Sequence, residues 1–255
     1  MFDKAKITKY IEDRYQSDGG YFFARVLPSG GADTYYAIRS LDMLGVNPQE
    51  PDGPIRFFSD CESEGNLDDI RGLFFATQTY KTLRQQFSYT NKHIETLNRV
   101  FTESSVHHEV DIEASSELES LYLAVTIAED VEISFDTEVI GNYIESVIGF
   151  GLATTYFALD IAEKLGYRNG EFDKRVLDYL LSEKDIESMF LEQIYWFINS
   201  MKILNKNNEN RERLLNLLTN FQNYNGGFRR SKYMGISTLE DTFYALSVLK
   251  QIDSI

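Results

Sequence analysis

Two adjacent carboxylates, Asp68 and Asp69, stand immediately before an apolar run that opens at Ile70. Neighbouring carboxyl groups in a dry site cannot both ionise easily, so one is held protonated and becomes a proton donor. The same pair at a helix start is also suited to capping, where a carboxylate accepts from free backbone N–H groups and meets the positive end of the helix dipole. Asp33 and Asp241, the latter within Thr238-Leu-Glu240-Asp241, invite the same capping reading, and Asp241 is kept with Asp68 and Asp69 as a candidate acid. A second pattern is cationic: Arg229-Arg230-Ser-Lys232-Tyr233 follows a Gly-Gly turn in an otherwise acidic chain. Arginine forks match phosphate oxygens, and a solvated loop is the alternative.

The third pattern is aromatic. Tyr35, Tyr36, Phe74, Phe75, Tyr122, Tyr156, Phe157, Tyr195, Trp196, Phe243 and Tyr244 all open apolar segments. If Tyr35, Tyr36, Phe75, Tyr156, Tyr195, Trp196, Phe243 and Tyr244 line a central cavity, they suit a long apolar ligand and stabilise carbocations through their ring faces. Packing of helix against helix is the other use of such rings.

The elements that position these residues repeat along the chain. Gln16-Ser-Asp-Gly19-Gly20-Tyr21-Phe22 followed by Asp33-Thr34-Tyr35-Tyr36-Ala37 is echoed by Gln222-Asn-Tyr-Asn-Gly226-Gly227-Phe228 followed by Asp241-Thr242-Phe243-Tyr244-Ala245. Segments around Ala76, Ala124, Ala158 and Phe197 fill the interval, at steps of 39, 48, 34, 39 and 48 residues from Ala37 to Ala245. Each opens a stretch that is apolar nearly all round, which marks a helix buried on several sides. Between them lie one-sided stripes at helical spacing: Ile7, Tyr10 and Ile11; Ile94, Leu97 and Phe101; Val139, Tyr143 and Val147; Val176, Tyr179 and Leu180; Leu214, Leu217, Leu218 and Phe221. Leu44-Gly45 and Leu165-Gly166 are helix stops. The polar stretch from Glu103 to Glu119 reads as a long loop.

Six alternations of outer and inner helix predict an all-α fold, a single α/α toroid of about six helix pairs over residues 1–255. An open solenoid is the rival, but its end repeats usually diverge into polar caps, whereas here the first and last copies match best. A net charge of −15 argues against nucleic acid. The single cysteine, Cys61, excludes an internal disulfide and points to a reducing compartment. With a charged start and no apolar run long enough to span a bilayer, the expectation is a soluble, cytoplasmic protein.

Gln16-x-x-x-Gly20-x-Phe22 and Gln222-x-x-x-Gly226-x-Phe228 resemble the Gln-x-x-x-Gly-x-Trp/Phe motif of the prenyltransferase and squalene-cyclase repeat family. The Asp-Thr-Tyr/Phe-Tyr-Ala opening of the inner helix is similar too. Physically, the glycines allow a tight turn with φ > 0, and the glutamine amide can satisfy free chain ends. The resemblance covers the whole chain, most strongly at its two ends, and is more specific for the toroid than for an activity.

What it implies about activity divides in two. Protein prenyltransferase β subunits bind zinc through Asp, Cys and His, which would fall here on Glu192, Ile194 and Asp241. Isoleucine cannot bind metal and both ligands that zinc prefers are missing, so no zinc and no cofactor is expected. His93, His107 and His108 have no matching cysteine. Class II terpene cyclases protonate an alkene from an Asp-x-Asp-Asp motif, and Asn66-Leu67-Asp68-Asp69 is similar to it with the first Asp replaced. Such cyclases generally use two toroidal domains, and this chain has length for one. The implied function is handling of an isoprenoid or similar apolar chain, by catalysis on its diphosphate or by binding alone. Asp68, Asp69 and Asp241 are the acids, and Arg229, Arg230 and Lys232 face the diphosphate. A non-catalytic interaction or ligand-binding module is the alternative, and a second protein subunit is among the partners this family admits.

Overall fold

The computed structural model describes residues 2–103, 114–131, 133–183, 185–206 and 211–252. Among them run twelve helices: α1 (Lys4–Glu12), α2 (Gly31–Leu44), α3 (Gly53–Ser63), α4 (Ile70–Thr82), α5 (Asn91–Glu103), α6 (Ala114–Ala128), α7 (Thr137–Ser146), α8 (Leu152–Lys164), α9 (Gly170–Ser182), α10 (Leu191–Ile203), α11 (Arg211–Thr219) and α12 (Leu239–Gln251). Odd-numbered helices are the outer ones, and each buries a single stripe, such as Ile7, Tyr10 and Ile11 on α1 or Phe172, Val176 and Leu180 on α9. Even-numbered helices are buried on several sides; α8 hides Leu152, Thr154, Thr155, Tyr156, Ala158, Leu159, Ile161 and Ala162. Gly45 ends α2 in the left-handed conformation, φ +72°, and Gly166 follows α8 at φ +65°, as their sequence context predicts.

The inner helices close a ring. α2 packs on α4, α4 on α6, α6 on α8, α8 on α10, α10 on α12, and α12 returns to α2. The result is an α/α toroid, with the outer helices wrapped around a barrel of inner ones.

The turns before α2 and α12 show how closure is built. Gly19 and Gly226 have φ of +92° and +95°, a region that side chains rarely adopt. A Cβ on Gly19 would lie 2.3 Å from the Gly53 carbonyl oxygen, and one on Gly226 would lie 2.5 Å from that of Lys6. The first turn therefore seats on the start of α3, and the last seats on α1. Their hydrogen bonds match: the Tyr21 N–H donates to Thr34 Oγ1 at 2.9 Å, and the Phe228 N–H donates to Thr242 Oγ1 at 3.1 Å.

This geometry corrects the motif alignment by one residue. The Gln16 N–H donates to the Gly20 carbonyl and the Asn223 N–H to the Gly227 carbonyl, both at 2.9 Å. Gln16 thus corresponds to Asn223, and Gln222 to Tyr15. The left-handed glycine sets the register, because only a residue without a Cβ fits there. The two glutamine side chains serve different carbonyls, Gln16 that of Arg14 and Gln222 that of Gly226.

One other expectation changes. The stretch from Glu103 to Glu119 is not all loop, since α6 begins at Ala114 and fully buries Leu118. Its polar residues misled because an inner helix whose first turn reaches the ring's open end can carry polar side chains there. Residues 104–113, with His107 and His108, lie outside the described residues. The sixth outer helix, α3, for which no stripe is read from the sequence, begins at Gly53-Pro54, where proline's fixed φ suits a first turn, and buries Gly53, Pro54, Phe57 and Phe58 on one face.

Candidate functional site

Five of the six inner helices place an aromatic ring at their fifth residue: Tyr35, Phe74, Tyr156, Tyr195 and Phe243. α6, which starts a turn earlier, supplies Tyr122. These rings touch in a closed collar. Centroid distances are 5.5 Å for Tyr35–Phe74, 6.5 Å for Phe74–Tyr122, 6.0 Å for Tyr122–Tyr156, 5.8 Å for Tyr156–Tyr195, 5.9 Å for Tyr195–Phe243 and 5.9 Å for Phe243–Tyr35. The next residue on each inner helix, Tyr36, Phe75, Leu123, Phe157, Trp196 or Tyr244, also faces the axis. Together they line a cavity of about 320 Å³. All eight residues singled out as cavity-lining from the sequence lie on it. Because every inner helix presents its opening turns here, the cavity opens at the N-terminal end of the ring.

Burial pushes the hydroxyls of Tyr35, Tyr36, Tyr122, Tyr156 and Tyr244 well above the usual tyrosine range and raises that of Tyr195, so they remain neutral donors. Tyr36 and Tyr244 both donate to Glu240 Oε1, at 3.0 and 2.9 Å. Glu240 shares the lining with two more charged side chains, Arg71 and Glu119, which pair at 2.6 Å. Sequence reasoning missed these three. A signal was present: Arg71, Glu119 and Glu240 each precede a lining residue (Phe75, Leu123, Tyr244) by four positions, one helical turn nearer the mouth.

A groove with several charged side chains adjoins the cavity and shares Trp196, Glu240 and Tyr244 with it. Asp241 lies in this groove, 7% exposed, and burial pushes its carboxyl up to about 6 despite the Thr238 hydroxyl, which donates to Oδ2 at 2.7 Å. Thr238 caps α12, with Oγ1 accepting from the Asp241 N–H at 2.9 Å. Asp241 is therefore not itself the cap. Its counterpart Asp33 is likewise pushed up to about 6 by burial.

A profile described as the prenyltransferase alpha-alpha toroid domain matches residues 2–158 and 167–254. The chain belongs to the prenyltransferase α/α toroid family. No curated protein and no solved structure matches it. Of the positions to which prenyltransferase likeness assigns zinc, Ile194 is fully buried in the core, Glu192 pairs with Arg230 at 2.6 Å, and Asp241 is engaged by Thr238. Among the described residues, no group of three or more His, Cys, Asp or Glu side chains is placed to hold a metal. His93 is buried on α5, where its Nδ1 accepts from the Thr90 N–H at 3.2 Å.

The cyclase-like acids sit elsewhere on the prenyltransferase toroid. Asp69 is the N-cap of α4, accepting from the N–H groups of Arg71 and Gly72, both at 2.9 Å. Asp68 pairs with Lys92 of α5 on the outside. Neither lines the cavity. A carboxylate engaged by the backbone N–H groups of its own helix start is turned toward the chain and serves as a cap. Of the three acid candidates, the structure brings only Asp241 beside the cavity.

The basic cluster is also dispersed. Arg229 donates to the carbonyls of Asn220 and Lys232, at 3.0 and 2.9 Å, and so holds its own loop. Arg230 reaches the groove but is paired with Glu192 and stacked 4.6 Å over the Phe190 ring. Lys232 donates to the Glu187 carbonyl at 2.6 Å in a separate surface depression. Closeness in sequence did not become convergence, because the irregular segment between Phe228 and Thr238 turns these side chains different ways. No helix among the described residues is long and apolar enough to cross a membrane.

Proposed function

We propose that this toroid binds an isoprenoid or comparable apolar chain in its aromatic cavity, without zinc and within the cytosol. The observation that carries this reading is the closed collar of six aromatic rings, one from each inner helix, at the centre of a prenyltransferase-family toroid. At about 320 Å³ the cavity sits at the small end of ligand pockets, which span roughly 300–1,000 Å³, so it suits a short chain. Binding is favoured over protein prenylation because thiol activation has no metal-ligating set among Glu192, Ile194 and Asp241. It is favoured over cyclisation because Asp68 and Asp69 face away from the cavity. Asp241 supports conversion weakly: a carboxyl pushed up to about 6 is only about one-tenth protonated at pH 7 and is a feeble acid toward an alkene.

Trp196 lines the cavity and is the single tryptophan of the chain, so its fluorescence reports on occupancy directly. Titration with farnesol should shift Trp196 emission saturably, and Phe75→Ala should alter the affinity. If neither emission nor calorimetry responds to any prenyl alcohol, the chain-binding reading fails and the toroid is better described as an interaction module.

A further inference from the structure

The charges at the cavity mouth are not arranged for a diphosphate. The cavity and the adjoining groove carry two cations, Arg71 and Arg230, against four carboxylates: Glu119, Glu192, Glu240 and Asp241. Both cations are already spent in pairs at 2.6 Å, Arg71 with Glu119 and Arg230 with Glu192. Glu240 has no cationic partner among the described residues. Its Oε1 takes the Tyr36 and Tyr244 hydroxyls, while Oε2 accepts from no described side chain. The inner-helix N-termini would ordinarily attract an anion. Here protein carboxylates fill that place: Asp69 caps α4, and Glu119, Glu192, Glu240 and Asp241 all stand in the opening turns of α6, α10 and α12.

Around Glu240 the surroundings are aromatic. Tyr244 lies 6.0 Å from Tyr36 between ring centroids and 4.7 Å from Tyr195, and Trp196 borders both cavity and groove. Aromatic rings beside an unneutralised carboxylate are the components of a cation site, since ring faces attract a cation and the carboxylate has a free oxygen to accept its N–H. An anionic head would have to break two ion pairs and then sit against Glu240.

We infer that the cavity selects an apolar chain ending in a cationic nitrogen, an alkyl or prenyl ammonium, with the tail inside the aromatic collar and the head between Glu240, Tyr36, Tyr244 and Trp196. This rests on the chain-binding reading above and adds the chemistry of the head group. It also gives Glu240 a role that the family resemblance does not supply.

The test compares three probes of one chain length, farnesylamine, farnesol and farnesyl diphosphate, binding to the full chain by Trp196 fluorescence and calorimetry. Farnesylamine should bind about tenfold or more tighter than farnesol, with the diphosphate weakest. Glu240→Gln keeps an acceptor for both tyrosine hydroxyls, and in it the ratio of farnesylamine to farnesol affinity should fall about tenfold, to near one. A diphosphate that binds tightest, or an amine preference that survives in Glu240→Gln, overturns the inference. Equal binding of amine and alcohol overturns it too, yet leaves chain binding standing. Failure of all three probes removes both.

Discussion

The Tyr36 hydroxyl on α2 donates to Glu240 on α12 at 3.0 Å, joining side chains 204 residues apart in sequence. One hydrogen bond thus belongs both to the seam that closes the ring and to the mouth of the cavity. Tyr244, the counterpart of Tyr36 in the last repeat, donates to the same oxygen from its own helix. Site and closure are coupled here, because the cavity's lining is complete only when the last inner helix meets the first.

Closure should depend sharply on Gly226. Alanine there combines an unfavourable φ of +95° with a Cβ 2.5 Å from the Lys6 carbonyl, so α1 must shift. Gly226→Ala should cost roughly 3 kcal/mol in urea unfolding. Gly45→Ala is the comparison: its φ is +72° but nothing lies within 4 Å, so conformational strain of about 1 kcal/mol is the whole cost. Equal losses in the two variants would mean that the Gly226–Lys6 contact contributes nothing to closure.

Stability should fall as pH rises through the range set by Asp241. Its folded carboxyl is pushed up to about 6, above the unfolded value of about 3.9. The folded state therefore binds the proton more tightly, so this contribution is fully present below about 4 and is lost by a little above 6. Other groups titrate over the same range, so the difference between wild type and Asp241→Asn is the useful quantity. Relative to wild type, Asp241→Asn should gain on the order of 1–2 kcal/mol between pH 4 and pH 7. A difference that stays flat across that range would contradict a buried, proton-holding Asp241.

Asp69 should behave as a cap and nothing more. Asp69→Ala should lose about 1 kcal/mol of stability and Asp69→Asn only a few tenths, with prenyl-ligand affinity unchanged in both. Asp68→Asn breaks only the half-exposed pair with Lys92 and should lie within about 1 kcal/mol of wild type. Loss of ligand conversion or binding in Asp68→Asn or Asp69→Asn, with the fold intact, would return these residues to the chemistry.

Chelation should leave the protein unchanged. Since Ile194 offers no ligand atom and Glu192 is paired with Arg230, removal of divalent metal should alter neither the thermal midpoint nor Trp196 emission. A chelator-induced fall in the midpoint, reversed by one equivalent of zinc, would show a site that these residues do not make.

Much of the site could be read from the sequence because its residues recur with the helices that carry them. An aromatic pair at the same turn of successive inner helices points to one axis, and Tyr35, Tyr36, Phe75, Tyr156, Tyr195, Trp196, Phe243 and Tyr244 all reach it. The acids and bases were harder. Asp69 and Asp241 both occur at the start of an inner helix, yet one accepts two backbone N–H bonds and the other is buried beside the cavity. That difference depends on where the preceding loop enters, which has no period. The pairing of Gln16 with Gln222 failed for a related reason: residue identity suggested one alignment, and the left-handed Gly19 and Gly226 required another.

By itself, the sequence determined the all-helical toroid, the alternation of outer and inner helices and the aromatic character of the centre. These follow from hydrophobic periodicity and repetition, which act locally and leave a pattern in the chain. Only the tertiary structure decided that Arg71 and Arg230 are neutralised by Glu119 and Glu192, that Asp68 and Asp69 face outward, and that Glu240 stands uncompensated among aromatic rings. Those outcomes depend on distances of a few ångströms between side chains far apart in sequence, and electrostatic interactions are decided at that range.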